Sequence, residues 1–122
     1  MLVADDSRSL REALSRMLAA EGHIVDVAGD GWDAWEMLHE VRYDLLVTDL
    51  EMPRLSGEKL VEKVRSSGDF PELRVIVISS RSNAQQRERI LASGADLFVA
   101  KPITQEALGP QVASLLTERK GS

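Results

Sequence analysis

Six residues have the chemistry to act together if the fold gathers them: Asp5, Asp6, Asp49, Ser79, Ser80 and Lys101. Each stands at the end of a short apolar run. Leu2-Val3-Ala4 precedes the acid pair, and Leu45-Leu46-Val47-Thr48 precedes Asp49. Val75-Ile76-Val77-Ile78 leads into the serines, and Leu97-Phe98-Val99-Ala100 into Lys101. Three clustered carboxylates repel one another and stay ionised only with a cation among them. Hard oxygen ligands suit Mg²⁺, which takes octahedral oxygen coordination and keeps several waters. A phosphoryl group could then sit between the metal and the Lys101 ammonium, with the Ser79 hydroxyl donating to it. A single acid at a strand end is usually a solvated loop residue. The whole set, each member at the same end of its strand, weighs against that reading.

The elements that must position these residues alternate. Short apolar runs, read as strands, separate longer stretches of helical period. Ser7 is a helix N-cap, Leu10, Leu14, Met17 and Leu18 form the inner stripe, and Gly22 ends the helix. Ile24 to Ala28 reads as a second strand. Gly29-Asp30-Gly31 is a turn, and Ala34, Trp35 and Leu38 are the inner face of a second helix. Tyr43 to Asp49 reads as a buried strand, Met52 to Gly57 as a loop, and Leu60, Val61 and Val64 as a third helix. The β-branched run at 75–78 is the fourth strand, followed by a polar helix at about Asn83 to Ser93 and a stop at Gly94. After the fifth strand, Thr104 caps a last helix with its stripe at Leu108, Val112, Leu115 and Leu116.

Five β-α units with near-continuous apolar strands predict a parallel sheet covered on both faces. Right-handed crossovers make it a doubly wound α/β three-layer sandwich. Ligands bind such sheets at the carboxyl ends of the strands, where the six residues fall. One domain is expected over 1–122, with 118–122 a frayed tail or an added end.

Composition narrows the function. The 122 residues carry a formal charge of −5, which argues against a nucleic-acid surface or a polybasic membrane patch. No cysteine is present, so disulfides, thiol catalysis and Cys-type metal sites are excluded. The two histidines, His23 and His39, are too few and too far apart for a His-rich metal site. No apolar run approaches a membrane span, and acids follow Met1 to Ala4 too soon for a signal peptide. The expected location is cytoplasmic. Gly29-Asp30-Gly31 is not a dinucleotide fingerprint, which belongs after the first strand.

The ordered set resembles the receiver domain of two-component response regulators, the CheY-like family, over essentially the whole chain. The resemblance rests on Asp5-Asp6, on Asp49-Leu50-Glu51-Met52-Pro53 with Gly57 beyond, on Ser79 and on Lys101-Pro102. It implies a flavodoxin-like (βα)5 fold with strand order 2-1-3-4-5. It implies a phosphoacceptor, Asp49, that attacks a phosphohistidine of a histidine kinase or its phosphotransfer domain. Asp6, Asp49 and the Glu51 backbone carbonyl would bind Mg²⁺ directly, and Asp5 mainly through a bound water. Lys101 would pair with a phosphoryl oxygen, and the Lys101-Pro102 bond would be cis. Ser79, with the Ser80 N–H nearby, and Phe98 would form the switch. The face of helix four, strand five and helix five would then meet a downstream protein. The resemblance implies a signalling domain rather than an enzyme, with at most self-catalysed phosphoryl gain and loss.

Three departures from the family stand out. Phe98 replaces the frequent Tyr, Ser80 replaces a commonly smaller residue, and Glu51 with Arg81 occupies the positions that tune loss of the phosphoryl group. A Glu51–Arg81 ion pair over the site would slow water entry. The segments Asp49 to Arg54 and Ile78 to Ser82 look like receivers fused to CheA-type chemosensory histidine kinases, so a hybrid origin is a second expectation beside a stand-alone regulator. Two rival functions stay open: a pseudo-receiver that binds partners without phosphorylation, and an aspartyl-nucleophile phosphohydrolase. The latter class carries its nucleophile after the first strand and an Asp two residues on, where this chain has Glu51. Trp32 and Trp35 read as ordinary packing, or as a partner contact for Trp32. His23 reads as a turn residue and His39 as a helix-end cation. Arg81, Arg87 and Arg89 read as a solvated face, or as contacts for an acidic partner.

Overall fold

The computed structural model describes residues 1–80 and 83–117. Five strands and five helices alternate: β1 (Leu2–Ala4), α1 (Arg8–Ala20), β2 (Asp26–Ala28), α2 (Gly31–Glu40), β3 (Leu45–Asp49), α3 (Gly57–Ser67), β4 (Arg74–Ser79), α4 (Ala84–Ala92), β5 (Leu97–Ala100) and α5 (Gln105–Thr117). The strands form one sheet of order β2-β1-β3-β4-β5, and every neighbouring pair is parallel. This is the doubly wound α/β sandwich that the alternation predicts.

The two-residue period of the strands divides the core. Leu2, Ala4, Leu46, Val75 and Val77 face a layer with Ala34 and Leu38 of α2, Leu60, Val61 and Val64 of α3, and Ile90 of α4. Val3, Leu45, Val47, Ile76 and Ile78 face the opposite layer with Leu14 and Leu18 of α1 and Leu108 and Val112 of α5. Both faces are buried, so the central strands carry no polar alternation.

Two strands are shorter than the sequence suggests. β2 begins at Asp26, because β1, its one neighbour among the described strands, offers pairing from Leu2 opposite Asp26 onward. Ile24 is consequently 87% exposed, and its carbonyl accepts from the Met1 ammonium at 2.8 Å. β3 begins at Leu45, which pairs with Arg74. Tyr43 precedes the ladder and donates its hydroxyl to Asp26 Oδ2 at 2.6 Å.

Every helix starts just beyond the carboxyl end of a strand with a polar cap. Ser7, Asp30, Ser56, Asn83 and Thr104 accept from the backbone N–H of Leu10, Asp33, Lys59, Gln86 and Ala107. Such caps are each worth about 1 kcal/mol. They fix the turns that carry the polar residues.

The opposite end of the sheet is held by a half-buried cluster. Asp96 accepts from Val75 N–H at 2.8 Å and from Arg65 Nη2 at 3.0 Å, with Arg74 Nη1 at 3.6 Å. Arg65 Nε also donates to the Gly94 carbonyl at 2.8 Å. The cluster ties α3, the α4–β5 turn and β4 together, far from the strand ends that carry Asp49 and Lys101.

Candidate functional site

The register brings the predicted residues to one edge. Asp49, the last residue of β3, pairs with Ile78, and Ser79, the last of β4, pairs with Ala100. The Leu50 N–H donates to the Ile78 carbonyl at 2.8 Å, and the Lys101 N–H to the Ser79 carbonyl at 2.8 Å. Asp5 N–H donates to the Ala28 carbonyl, which aligns the end of β1 with β2. The Lys101-Pro102 peptide bond is cis.

The three aspartates meet. Asp5, Asp6 and Asp49 each bring a carboxylate oxygen within 4.8 Å of the others. Asp5 is fully buried, Asp49 is 6% exposed and Asp6 is exposed. Lys101 Nζ lies 3.2 Å from Asp49 Oδ1 and 3.9 Å from Asp5 Oδ2. Asp6, Asp49, Glu51, Ser80, Gln86 and Lys101 are among the residues that line an open pocket of about 780 Å³. Asp49 is therefore covered by protein yet reachable along one face.

Burial sets the electrostatics. It pushes the Asp5 carboxyl above its ordinary value, and the neighbouring Asp49 and Asp6 charges push the same way. The Ser7 N–H and Lys101 only partly offset this. Burial likewise raises Asp49, with Asp6 adding to the effect, while Lys101 and the Glu51 N–H oppose it. A site that holds two carboxylates above their usual range is short of positive charge. One observation locates the deficit: Asp5 Oδ1 accepts from Ser7 N–H at 2.8 Å, whereas Asp5 Oδ2 is buried with no hydrogen-bond partner among the described residues. An oxygen-preferring divalent cation fits this donor set.

The loop after β3 is shaped around glycines. A Cβ on Gly57 would lie 2.2 Å from the Asp49 carbonyl oxygen, and one on Gly31 2.3 Å from the Leu55 carbonyl oxygen. Gly57 N–H donates to the Leu50 carbonyl at 2.8 Å. Arg54, at φ +70°, turns the loop and pairs with Asp30 at 2.9 Å. Only a residue without a side chain lets α3 start so close to the Asp49 backbone.

The other predicted residues are distributed as follows. Ser79 is buried and Ser80 exposed. Phe98 is 4% exposed, opposite Val77 in the core. Glu51 is exposed on the pocket wall, and Arg81 lies outside the described residues. Arg89 is not simply a solvated residue. Its Nε donates to Glu58 of α3 at 2.9 Å on the pocket rim, a contact between helices that no local spacing announces. Trp32 and Trp35 are half-buried, packed against the core and bridged by Lys63 Nζ, 5.2 Å from each ring. His39 Nδ1 donates to the Trp35 carbonyl, and its ring stands edge-on to Trp35 and Phe70. His23 sits in the turn after α1, where its N–H donates to the Leu18 carbonyl.

Arg11 joins the site without a motif in the sequence to mark it. Its Nη1 donates to the Asp5 carbonyl at 2.7 Å. The available signal was its position: Arg11 is a charged residue in step with Leu14 and Leu18 on the buried stripe of α1.

The chain that builds this edge matches the sequence profile of the response regulator receiver domain over residues 1–113. The chain belongs to the response regulator receiver family. Response regulator MprA of Mycobacterium ulcerans is 39% identical over 120 residues, which are 98% of this chain and 51% of that protein. The chain thus spans about half the length of the curated relatives it matches. These relatives are named response regulators, not chemosensory kinases. Among solved structures, the signal receiver domain of a signal transduction histidine kinase from Syntrophus aciditrophicus superposes with a TM-score of 0.89 at 29% identity, covering 99% of this chain and 92% of that one. The chemotaxis protein CheY4 of Vibrio cholerae gives 0.87 at 26% identity, covering 93% and 95%. The receiver fold and the two-component signalling class follow. Among the described residues no helix is long and apolar enough to cross a membrane.

Proposed function

We propose that this receiver accepts a phosphoryl group on Asp49 from the phosphohistidine of a histidine kinase or its phosphotransfer domain. The observation that supports this most is the pairing of a covered, pocket-facing Asp49 carboxylate with Lys101 at 3.2 Å, beside two further carboxylates. An Asp49 oxygen attacks phosphorus, the P–N bond breaks, and the imidazole leaves with the electron pair and takes a proton. The product is an acyl phosphate on Asp49. Lys101 holds a phosphoryl oxygen as charge moves onto the group. Asp6, Asp49 and the Glu51 carbonyl would hold Mg²⁺, with Asp5 acting mainly through a water. When bound, Mg²⁺ neutralises phosphoryl charge and orients the in-line transfer.

Ser79, last in β4 and joined to Lys101 through the backbone, would swing its hydroxyl toward the phosphoryl group, with the Ser80 N–H beside it. The β4–α4 loop and Phe98 follow, and the α4–β5–α5 face presents a changed surface to a downstream protein. This is a population shift of a two-state element. Glu51 stands on the wall where an attacking water must pass and tunes the lifetime of the phosphoryl group with Arg81. The receiver acts as one unit over 1–122, in the cytoplasm, as a phosphoacceptor and not as an enzyme with an external substrate.

Intact mass after incubation with acetyl phosphate tests this reading. The expected result is a Mg²⁺-dependent gain of one phosphoryl group that Asp49→Ala lacks. Equal gain in the variant would reject the acceptor.

A further inference from the structure

Asp5 is pinned at every polar atom but one. Its N–H donates to the Ala28 carbonyl at 3.2 Å. Its Oδ1 accepts from Ser7 N–H at 2.8 Å. Its carbonyl accepts from Arg11 Nη1 at 2.7 Å. Only Oδ2, buried and without a hydrogen-bond partner among the described residues, is left to face the acidic cluster, with Lys101 Nζ 3.9 Å away.

The Arg11 bond differs in kind from the other two. The Ala28 bond extends the β1–β2 ladder and the Ser7 bond belongs to the turn, whereas Arg11 reaches from within α1. The carbonyl it holds is half of the peptide group that joins Asp5 to Asp6. Rotation of that peptide plane would turn the two carboxylates relative to each other, one buried and one exposed. Arg11 also passes beside the end of β2, where a Cβ on Gly29 would lie 3.7 Å from its Nη1.

We propose that Arg11 is the positioning residue of the acidic pair, fixing the Asp5–Asp6 peptide plane so that both carboxylates converge on one divalent cation. This rests on the receiver reading of the site. Two effects of Arg11 on a cation oppose each other. As a positive charge near the cluster it repels a second cation. As a donor that fixes the peptide it prearranges the ligands. Removing the side chain would tighten Mg²⁺ binding in the first case and weaken it in the second, so the sign decides.

Calorimetric titration of the metal-free protein with Mg²⁺ is the test, on wild type, Arg11→Met, Arg11→Lys, Arg8→Met and Asp6→Ala. Arg11→Met keeps the stem and loses the donor. Arg8→Met removes an equal charge from the same helix, where Arg8 pairs with exposed Glu12. The expected result is Mg²⁺ affinity weakened about tenfold in Arg11→Met, near wild type in Arg11→Lys and unchanged or slightly tighter in Arg8→Met. The Mg²⁺ concentration for half-maximal acetyl phosphate uptake rises in step, while the rate at saturating Mg²⁺ is retained. The Asp6 amide resonance also moves in Arg11→Met before any Mg²⁺ is added. Affinity in Arg11→Met equal to or tighter than wild type overturns the proposal. If Arg11→Met does not fold, Arg11→Lys, long enough to reach the carbonyl, is compared with Arg11→Gln, which is too short; equal affinities overturn it. If wild type and Asp6→Ala titrate alike, the metal site itself is wrong and the Arg11 role falls with it. If Asp6→Ala alone loses binding, only the Arg11 role fails.

Discussion

Lys101 Nζ stands 3.2 Å from Asp49 Oδ1, although the two are 52 positions apart, Asp49 ending β3 and Lys101 following β5. The pairing is made by the sheet. The Lys101 N–H is anchored on the Ser79 carbonyl, β4 lies beside β3, and Asp49 closes β3. A cation beside a buried nucleophilic carboxylate keeps it charged and then meets the incoming phosphoryl group. Lys101→Met is therefore expected to push Asp49 further above its ordinary pKa and to slow uptake from acetyl phosphate by at least tenfold at pH 7. The loss should be partly relieved as pH rises. A pH–rate profile that superimposes on wild type would remove Lys101 from the site.

Asp5→Asn tests the strain in the acidic cluster. The folded-state pKa of Asp5 is raised, so its ionised form destabilises the metal-free fold above that pKa. The penalty grows as pH rises from the unfolded value of 3.8 through the raised folded value, and is absent below 3.8. In EDTA at pH 7, Asp5→Asn should gain about 1 kcal/mol in urea unfolding. The gain should vanish toward pH 3.5. With Mg²⁺ present the order should reverse, because wild type gains more from the metal than the variant does. A variant less stable than wild type in EDTA would contradict the buried-charge account.

Local sequence encodes some parts of this site and not others. Asp49, Lys101 and the acid pair were legible because each terminates an apolar run, and parallel topology sends all such ends to one edge. The caps at Ser7, Thr104 and Asn83 were legible from local chemistry. The start of β2 was not, since strand length there is set by a ladder partner of only three residues, β1. The Arg89–Glu58 and Arg65–Asp96 contacts join residues 31 apart across packed elements, which no local period encodes. Arg11 was hidden for another reason: its stem fills an apolar stripe, and only its tip does polar work.

Gly57→Ala should cost about 3 kcal/mol, because a Cβ 2.2 Å from the Asp49 carbonyl oxygen must displace backbone. Phosphoryl uptake by the folded fraction should also fall, since the shifted atom belongs to Asp49. Thermal unfolding beside acetyl phosphate labelling checks both. Wild-type stability with wild-type uptake would show that the loop yields freely.

Asp96→Ala should cost about 3 kcal/mol, by leaving the Arg65 guanidinium without its carboxylate and the Val75 N–H without its acceptor. Uptake by folded protein should stay within twofold of wild type, as the cluster lies at the other end of the sheet. Reduced uptake at full folding would couple the two ends.

Tyr43 offers a spectroscopic check, being the only tyrosine in the chain. Burial, with the Asp26 hydrogen bond and charge, pushes its phenol up to about 12. Stability linked to the neutral phenol is present below pH 10 and is lost as pH rises toward 12. In Asp26→Asn the ultraviolet titration should move down toward 10. An unmoved curve would show that Asp26 does not set it.

The central claim is that Asp49 forms the acyl phosphate. Borohydride reduction of acetyl phosphate-treated protein tests it most directly, because it converts a phosphorylated aspartate to homoserine that peptide sequencing by mass spectrometry can locate. The account predicts homoserine at position 49, dependent on Mg²⁺ and absent without acetyl phosphate. Homoserine at another aspartate, or a borohydride-resistant phosphate on Ser79 or Ser80, would contradict it.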